Sequence, residues 1–317
     1  MRLIMKRYIK WLLSIWVLCF IIILIKNEYS YKLLENANYG MPALIEKGKV
    51  KNLYIGSSMF RQGIDIMTLE ENGEDNYVLA YNGNQPVLEY YQLRNLIENN
   101  VQIENLYVDM YVYSVWAQPK ISDEKMLMEF GLREKWSIYY LISNGTSSEN
   151  IKTFWQMFVS GNNELLATWV ISNKAINNIF YKGGSTNRPM ASEKEKLDAL
   201  AIPQIDKTVN LVQLEYLKKL IHLAKDNKIN IIFIESPKYD RMAKNQEYIC
   251  AMEQYINYLN EESIEYVLCD LTWNYTEQNA EVERYLFDNS KSDYFVDNGH
   301  LSYLGRKEFT KQLINLQ

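Results

Sequence analysis

Hydrophobic positions along the chain fall into two regimes. The first is one uninterrupted apolar run, Trp11–Ile25, preceded by Arg2, Lys6, Arg7 and Lys10 and closed by Lys26. As a helix at about 1.5 Å per residue the run reaches about 22 Å, so Tyr8, Ile9 and a snorkelling Lys10 must extend it if it crosses a bilayer. The second regime follows a connector over 27–50 and alternates short apolar runs with amphipathic stretches. Runs at 52–56, 77–81, 104–113, 229–235 and 265–270 are rich in Ile, Val, Leu and Tyr and bounded by Gly, Pro, Asn or Asp, which predicts buried strands. Helical periodicity fills 86–99, 207–226, 241–261 and 302–315. This alternation predicts an α/β fold of three layers, α/β/α, with a parallel five-stranded sheet and the site in the loops at the strands' C-terminal ends.

Between the third and fourth strands lies an insertion, about 114–205, of mostly helical periodicity. It carries Trp116, Trp136, Trp155 and Trp169 and a Gly/Ser/Asn/Pro-rich loop over 182–189. Large aromatics usually bury, which favours packing onto the sheet over a lid or platform that stacks on sugar rings. The chain thus divides into a cytoplasmic basic tail and anchor over 1–26, the connector over 27–50, and an α/β domain over 51–317. No small-x-small site follows the apolar run, and Cys19 lacks the small residues a lipoprotein signal needs, which favours an uncleaved anchor over a cleaved signal peptide. Four basic residues upstream place the N-terminus in the cytoplasm and the domain outside, single-pass in the cell membrane.

Composition narrows the class. The chain has 317 residues, 48% hydrophobic and 23% charged, which is enough for one large domain with an insertion. Its net charge of −5 and its lack of a concentrated basic face argue against a nucleic-acid partner. Three cysteines give no disulfide framework; Cys250 and Cys269 either pair outside the cytoplasm or, the favoured reading, stay as two buried free thiols. No Walker loop, dinucleotide fingerprint or paired cysteine cluster is present, so no cofactor and no metal are expected.

The candidate chemistry starts at Lys51–Phe60, where an apolar run stops at Gly56 and exposes Ser57 and Ser58 at a sharp turn. A serine is a poor nucleophile without an adjacent base, usually a histidine oriented by a carboxylate. Only two histidines exist. His222 sits in a helical segment without a metal-ligand partner and is predicted to be a packing or surface residue. His300 follows Asp297 by three residues, just ahead of the last amphipathic segment, a spacing that lets the carboxylate hold one ring nitrogen while the other faces a serine. Arg61, one turn past Ser58, either binds an anionic group or is solvated, and Glu235-Ser236-Pro237 ends the fourth strand on the functional edge.

Gly56-Ser57-Ser58 and Asp297-Asn298-Gly299-His300 together resemble the first and last blocks of the SGNH/GDSL hydrolase superfamily. The resemblance spans the extramembrane part and implies a flavodoxin-like sheet with Ser58 as nucleophile, His300 as base and Asp297 as its orienter. Ser57 stands where an aspartate is often found. The second block, an oxyanion-hole glycine, matches Tyr81-Asn82-Gly83-Asn84-Gln85-Pro86, so the oxyanion hole is assigned to Ser58, Gly83 and Asn84, with Asn82 as the alternative amide. A plain Asn-Gly turn is the competing account. The third block, Gly-x-Asn-Asp, is missing: Tyr107-Val108-Asp109-Met110-Tyr111 stands in its place, and an ionised Asp109 cannot donate to an oxyanion.

The expected function is a membrane-anchored serine esterase or O-acyltransferase acting on an acylated cell-envelope glycan. An anchor before such a domain also resembles accessory proteins of teichoic acid D-alanine transfer and of polysaccharide O-acetylation, which implies a multispanning membrane-bound O-acyltransferase as partner. The rival is a non-catalytic envelope protein of the same fold that binds polysaccharide or that membrane partner.

Overall fold

The computed structural model describes residues 2–35, 40–123, 126–127, 129–145, 148–160, 180–205, 208–269 and 283–316. Its strands are β1 Lys49–Gly56, β2 Asn76–Ala80, β3 Gln102–Asp109, β4 Phe180–Tyr181, β5 Gly184–Ser185, β6 Asn230–Ile234, β7 Glu265–Cys269 and β8 Glu283–Tyr285. Six of them form one parallel sheet in the order β2-β1-β3-β6-β7-β8, and β4 and β5 make a separate antiparallel hairpin. The sheet therefore has six strands where five are predicted. The extra edge strand, Glu-Arg-Tyr, exposes two charged side chains and buries one tyrosine, so it carries no apolar run for periodicity to detect.

Alternation along the central strands buries both faces. Leu53 and Ile55 of β1 and Leu106 and Val108 of β3 join one apolar cluster, while Tyr54 and Tyr107 between them join the other. The two tyrosines lie opposite each other in register and stack with ring centroids 4.8 Å apart. On the first face the helices Pro86–Glu98 and Leu211–Asp226 pack against each other over the sheet. The C-terminal helix Tyr303–Asn315 covers the second face through Phe309 and Leu313.

Local chemistry accounts for where prediction and structure part. The third strand stops at Asp109 rather than running to 113, because the Asp109 side chain turns inward to hydrogen-bond partners and the chain enters the helix Val112–Trp116. The expected helix over 241–261 is split into Asp240–Ala243 and Gln246–Glu261 by Asn245, whose side chain caps the second piece by accepting from the Tyr248 N–H. The helix expected from 207 starts at Leu211, where Asn210 accepts from the Val212 and Gln213 N–H groups.

The N-terminal helix α1, Arg2–Glu35, contains Met5–Glu28, a segment of mean hydropathy 2.4 that is exposed over most of its length and is long and apolar enough to cross a membrane. It meets the insertion at Asn27, which accepts from the buried Lys135 ammonium at 2.9 Å and donates to the Phe158 carbonyl at 3.4 Å. Burial lowers the Lys135 pKa to about 8. Around this junction Trp136, Tyr139, Phe154, Trp155 and Phe158 pack on one another, with Trp136 left 45% exposed. Trp116 is buried, and Trp169 lies outside the described residues. Cys269 is buried and Cys250 is exposed, and neither is in a disulfide, which corrects the expectation of two buried thiols.

Much of the connector is helical: α2, Gly40–Lys47, follows α1 and is tied to the sheet by one carboxyl. Glu129 accepts from the Met41 N–H at 2.8 Å and from the Tyr81 hydroxyl, and Gly40 packs so tightly on it that any Cβ there would collide with the carboxyl. Burial pushes the Glu129 pKa up to about 8, against the lowering effect of those two hydrogen bonds. Between the ordinary carboxyl value and about 8 the folded chain holds a proton that the unfolded chain has lost, so this group's contribution to stability falls as pH rises through that window. Glu129→Gln is expected to remove a slope of up to about 1.4 kcal/mol per pH unit between about pH 5 and 7.5, read from urea unfolding of both proteins. Leu106→Ala, in the fully buried middle of the sheet, is expected to cost about 2–5 kcal/mol in the same assay.

Candidate active site

The site is assembled where β1 runs out. Gly56 ends the strand beside β3, and a Cβ on it would stand 2.5 Å from the Cβ of Asp109, so only glycine lets the two strand ends approach. Ser57 follows in an extended conformation and caps the helix α3, Ser58–Gly63, by accepting from the Met59 N–H at 3.1 Å. Its own hydroxyl donates to Asp109 Oδ2 at 2.5 Å. Ser57 is thereby buried and committed, and Ser58 is turned to the other side, where its Oγ lies 2.8 Å from His300 Nε2.

The partner loop is built locally. Phe295 and Leu301 form an isolated bridge, and the Val296 N–H donates to the His300 carbonyl at 2.8 Å, closing a tight loop around Asp297–His300. Asp297 Oδ1 accepts from the Gly299 and His300 N–H groups, both at 2.8 Å, while Oδ2 lies 2.7 Å from His300 Nδ1. Burial alone would raise the Asp297 pKa, but the His300 ring and the two backbone donors together hold it below the usual carboxylate range. An ionised Asp297 keeps the ring proton on Nδ1, which leaves the Nε2 lone pair to accept from the Ser58 hydroxyl.

Beneath this chain of groups lies a second, buried one. Asp109, 3% exposed, accepts from Ser57 on Oδ2 and from the Ser236 hydroxyl on Oδ1 at 3.0 Å. Burial raises its pKa, opposed by the Lys238 charge and by the two serines. Lys238 is itself fully buried and donates to the Ser236 carbonyl at 2.8 Å; burial lowers its pKa, with Asp109 and Glu235 opposing. Asp109 therefore supports Ser57 rather than lining a cavity. Ser236 belongs to the strand end Glu235-Ser236-Pro237 expected on the functional edge, whereas Lys238, the next residue along, has no signal of its own in the sequence. Glu235 faces inward, accepting from Tyr248 at 2.8 Å and the Cys269 N–H at 3.0 Å.

Two cavities meet at Tyr111 and Tyr113. One, of about 230 Å³, adjoins Asp297 and His300 and is walled mainly by Met59, Leu200, Pro203 and Met242. The other, of about 240 Å³, is lined by Gly83, Trp116, Lys120 and Ser122 among others. Gly83 has φ +62°, and a Cβ there would meet Ser122 at 2.7 Å. The Asn84 carboxamide is a correction to the expected oxyanion donors: it is fully buried and its nitrogen donates to the Gly56 carbonyl at 3.2 Å and to Gln92 at 3.0 Å, which uses both N–H groups. Asn82 lines a third cavity instead, and Arg61 pairs with Asp123 at 2.6 Å. His222 stands on the surface 3.4 Å from Glu262.

No protein-family model matches the chain, and no curated protein matches it. Among solved structures it is similar to a GDSL-like lipase from Bacteroides thetaiotaomicron at 11% identity, covering 86% of this chain and 89% of that one with a TM-score of 0.35. A protein assigned as an acylhydrolase, from Bacteroides fragilis, matches at 10% identity over 85% and 87% of the two chains with a TM-score of 0.36. One assigned as a platelet activating factor, from Streptococcus pneumonia, matches at 13% identity over 98% of each chain with a TM-score of 0.39. Likenesses this distant say nothing about activity, which has to be argued from the site.

The contact between the two strand ends is testable by itself. Gly56→Ala is expected to force β1 from Asp109 and to cost about 1–3 kcal/mol in chemical denaturation.

Proposed function

We propose that this chain is a membrane-anchored, extracytoplasmic serine esterase or O-acyltransferase acting on acylated cell-envelope polysaccharide. One observation carries the chemistry: Ser58 Oγ, His300 Nε2 and Asp297 form a continuous hydrogen-bonded chain at 2.8 and 2.7 Å, beside a small apolar cavity. In this reading Ser58 Oγ attacks the ester carbonyl as His300 takes its proton, and the imidazolium then returns that proton to the departing alcohol oxygen. The resulting acyl-enzyme is released by water or by a sugar hydroxyl in the reverse sequence. Asp297 holds the imidazole in the required tautomer and offsets the charge that forms on it. The backbone N–H groups of Ser58 and Gly83 serve the developing oxyanion, with no side-chain amide assisting, since Asn84 is committed elsewhere. The apolar wall of Met59, Leu200 and Met242 receives the acyl group. The apolar segment of α1 supports the anchored placement.

The full-length chain in detergent, treated with a fluorophosphonate probe, tests the reading. Ser58→Ala is expected to abolish labelling, His300→Ala to slow it by about 1,000-fold or more, and Asp297→Asn by a comparable factor through the wrong tautomer. Ser57→Ala is expected to retain labelling on Ser58. A folded wild type that takes no label would overturn the enzyme reading in favour of a non-catalytic binding protein.

A further inference from the structure

Beside the nucleophile helix lies a third cavity, of about 580 Å³, that shares no lining residue with the two meeting at Tyr111. Its wall is formed by Arg61, Arg188 and Arg306 with the neutral Gln62, Asn82, Ser185, Asn187 and Pro189. None of these lining residues is a carboxylate, in a chain whose formal net charge is −5. The lining is therefore basic in an acidic chain, with Asp123 paired to Arg61 and Asp65 acting on Arg306 from outside it, and its neutral members are mostly hydrogen-bonding groups suited to a polar guest.

Each arginine is held in place by its surroundings. Arg306, 1% exposed, donates to the carbonyls of Asn187 at 2.7 Å, Ile64 at 2.9 Å and Ser185 at 2.9 Å. Carbonyl dipoles satisfy its terminal donors, the Asp65 carboxylate offsets part of its charge, and its buried Nε–H has no partner among the described residues. Arg188 lies over the Tyr303 ring, with its guanidinium carbon 4.9 Å from the centroid, a cation–π contact that holds the group near the ring while leaving it exposed. Arg61 is anchored by Asp123 and sits one turn past Ser58 on α3, so the cavity begins within one helical turn of the serine. Asn82 adjoins Gly83 in the turn that also borders the neighbouring cavity. Planar, pre-oriented guanidinium groups are the side chains best matched to the paired oxygens of a phosphate or carboxylate.

We infer that this cavity is an anion subsite, holding a phosphate or carboxylate of the polymer whose ester is presented to Ser58. The preferred substrate is then an anionic rather than a neutral acylated glycan. The assignment of the bound group to a substrate rests on the esterase reading; the anion binding does not.

Binding is measured by calorimetric titration of the full-length Ser58→Ala chain in detergent with glycerol 3-phosphate, inorganic phosphate and glucuronate. Saturable binding that weakens with added salt is expected, reduced by about ten-fold or more in Arg188→Ala and partly restored in Arg188→Lys. Preference for glycerol 3-phosphate identifies a polyol phosphate, and preference for glucuronate a uronic-acid polymer. Arg306→Lys, which keeps the charge but not the fork, is expected to bind more weakly and guards against a fold lost in harsher variants. No saturable binding of any of the three by the folded chain, or unchanged affinity in both Arg188→Ala and Arg61→Gln, overturns the inference. The two readings fail separately: a chain that labels with fluorophosphonate but binds no anion keeps its esterase role and loses this subsite, and one that binds anions without labelling does the reverse.

Discussion

A buried carboxylate at the end of β3 is the constraint on which the rest of the site depends. Asp109 is removed from water, and a group so placed is costly unless its lone pairs are satisfied. Ser57 and Ser236 supply the hydrogen bonds and Lys238 supplies the nearby positive charge, so two separate segments are drawn to the end of β3. Each has a consequence at the surface above. Holding Ser57 fixes the first turn of α3 and sends the next residue, Ser58, outward. Holding the segment around Ser236 and Lys238 supports the His300 loop, because the Tyr239 N–H donates to the Asn298 carbonyl at 2.9 Å and Gly299 packs on Met59 and Lys238. The absence of a side chain at Gly56 is the steric condition for all of it.

The two layers divide electrostatic labour. The upper layer is half-exposed and local: Asp297 is solvated in part and held ionised by donors from its own loop, which orients His300 without help from distant elements. The lower layer is dry and non-local, and its charges offset one another across β1, β3 and the segment after β6. A buried, hydrogen-bonded support is rigid, and rigidity beneath a nucleophile keeps it within reach of its partner without reorganisation. The arginine-lined cavity adds a third field, positive and facing outward, next to the same short helix.

The long apolar helix is joined to the domain by a different kind of contact. Asn27, in the last turn of the apolar segment of α1, is gripped by Lys135 and the Phe158 carbonyl, so α1 is attached to the insertion by direct contact. The aromatic cluster of the insertion gathers at that junction, with Trp136 partly exposed.

The sequence by itself determined the alternation of elements, since strands buried on both faces and helices with one apolar stripe leave unmistakable periods; β1, β2, β6 and β7 fall within a few residues of their predicted limits. It also singled out Ser58, Asp297 and His300, because a serine after a strand-ending glycine and an acid three residues before a histidine are local patterns. The edge strand β8 was illegible because its pattern is two exposed charges and one tyrosine. The inward turn of Asp109 and Asn84, the Ser236 and Lys238 support, and the clustering of Arg61, Arg188 and Arg306 were decided only by tertiary structure. The 2.8 Å approach of Ser58 to His300 joins residues 242 apart in sequence. Periodicity reports which face a residue occupies, whereas the partner it meets there depends on which strands become neighbours, and that is settled by packing across the whole sheet.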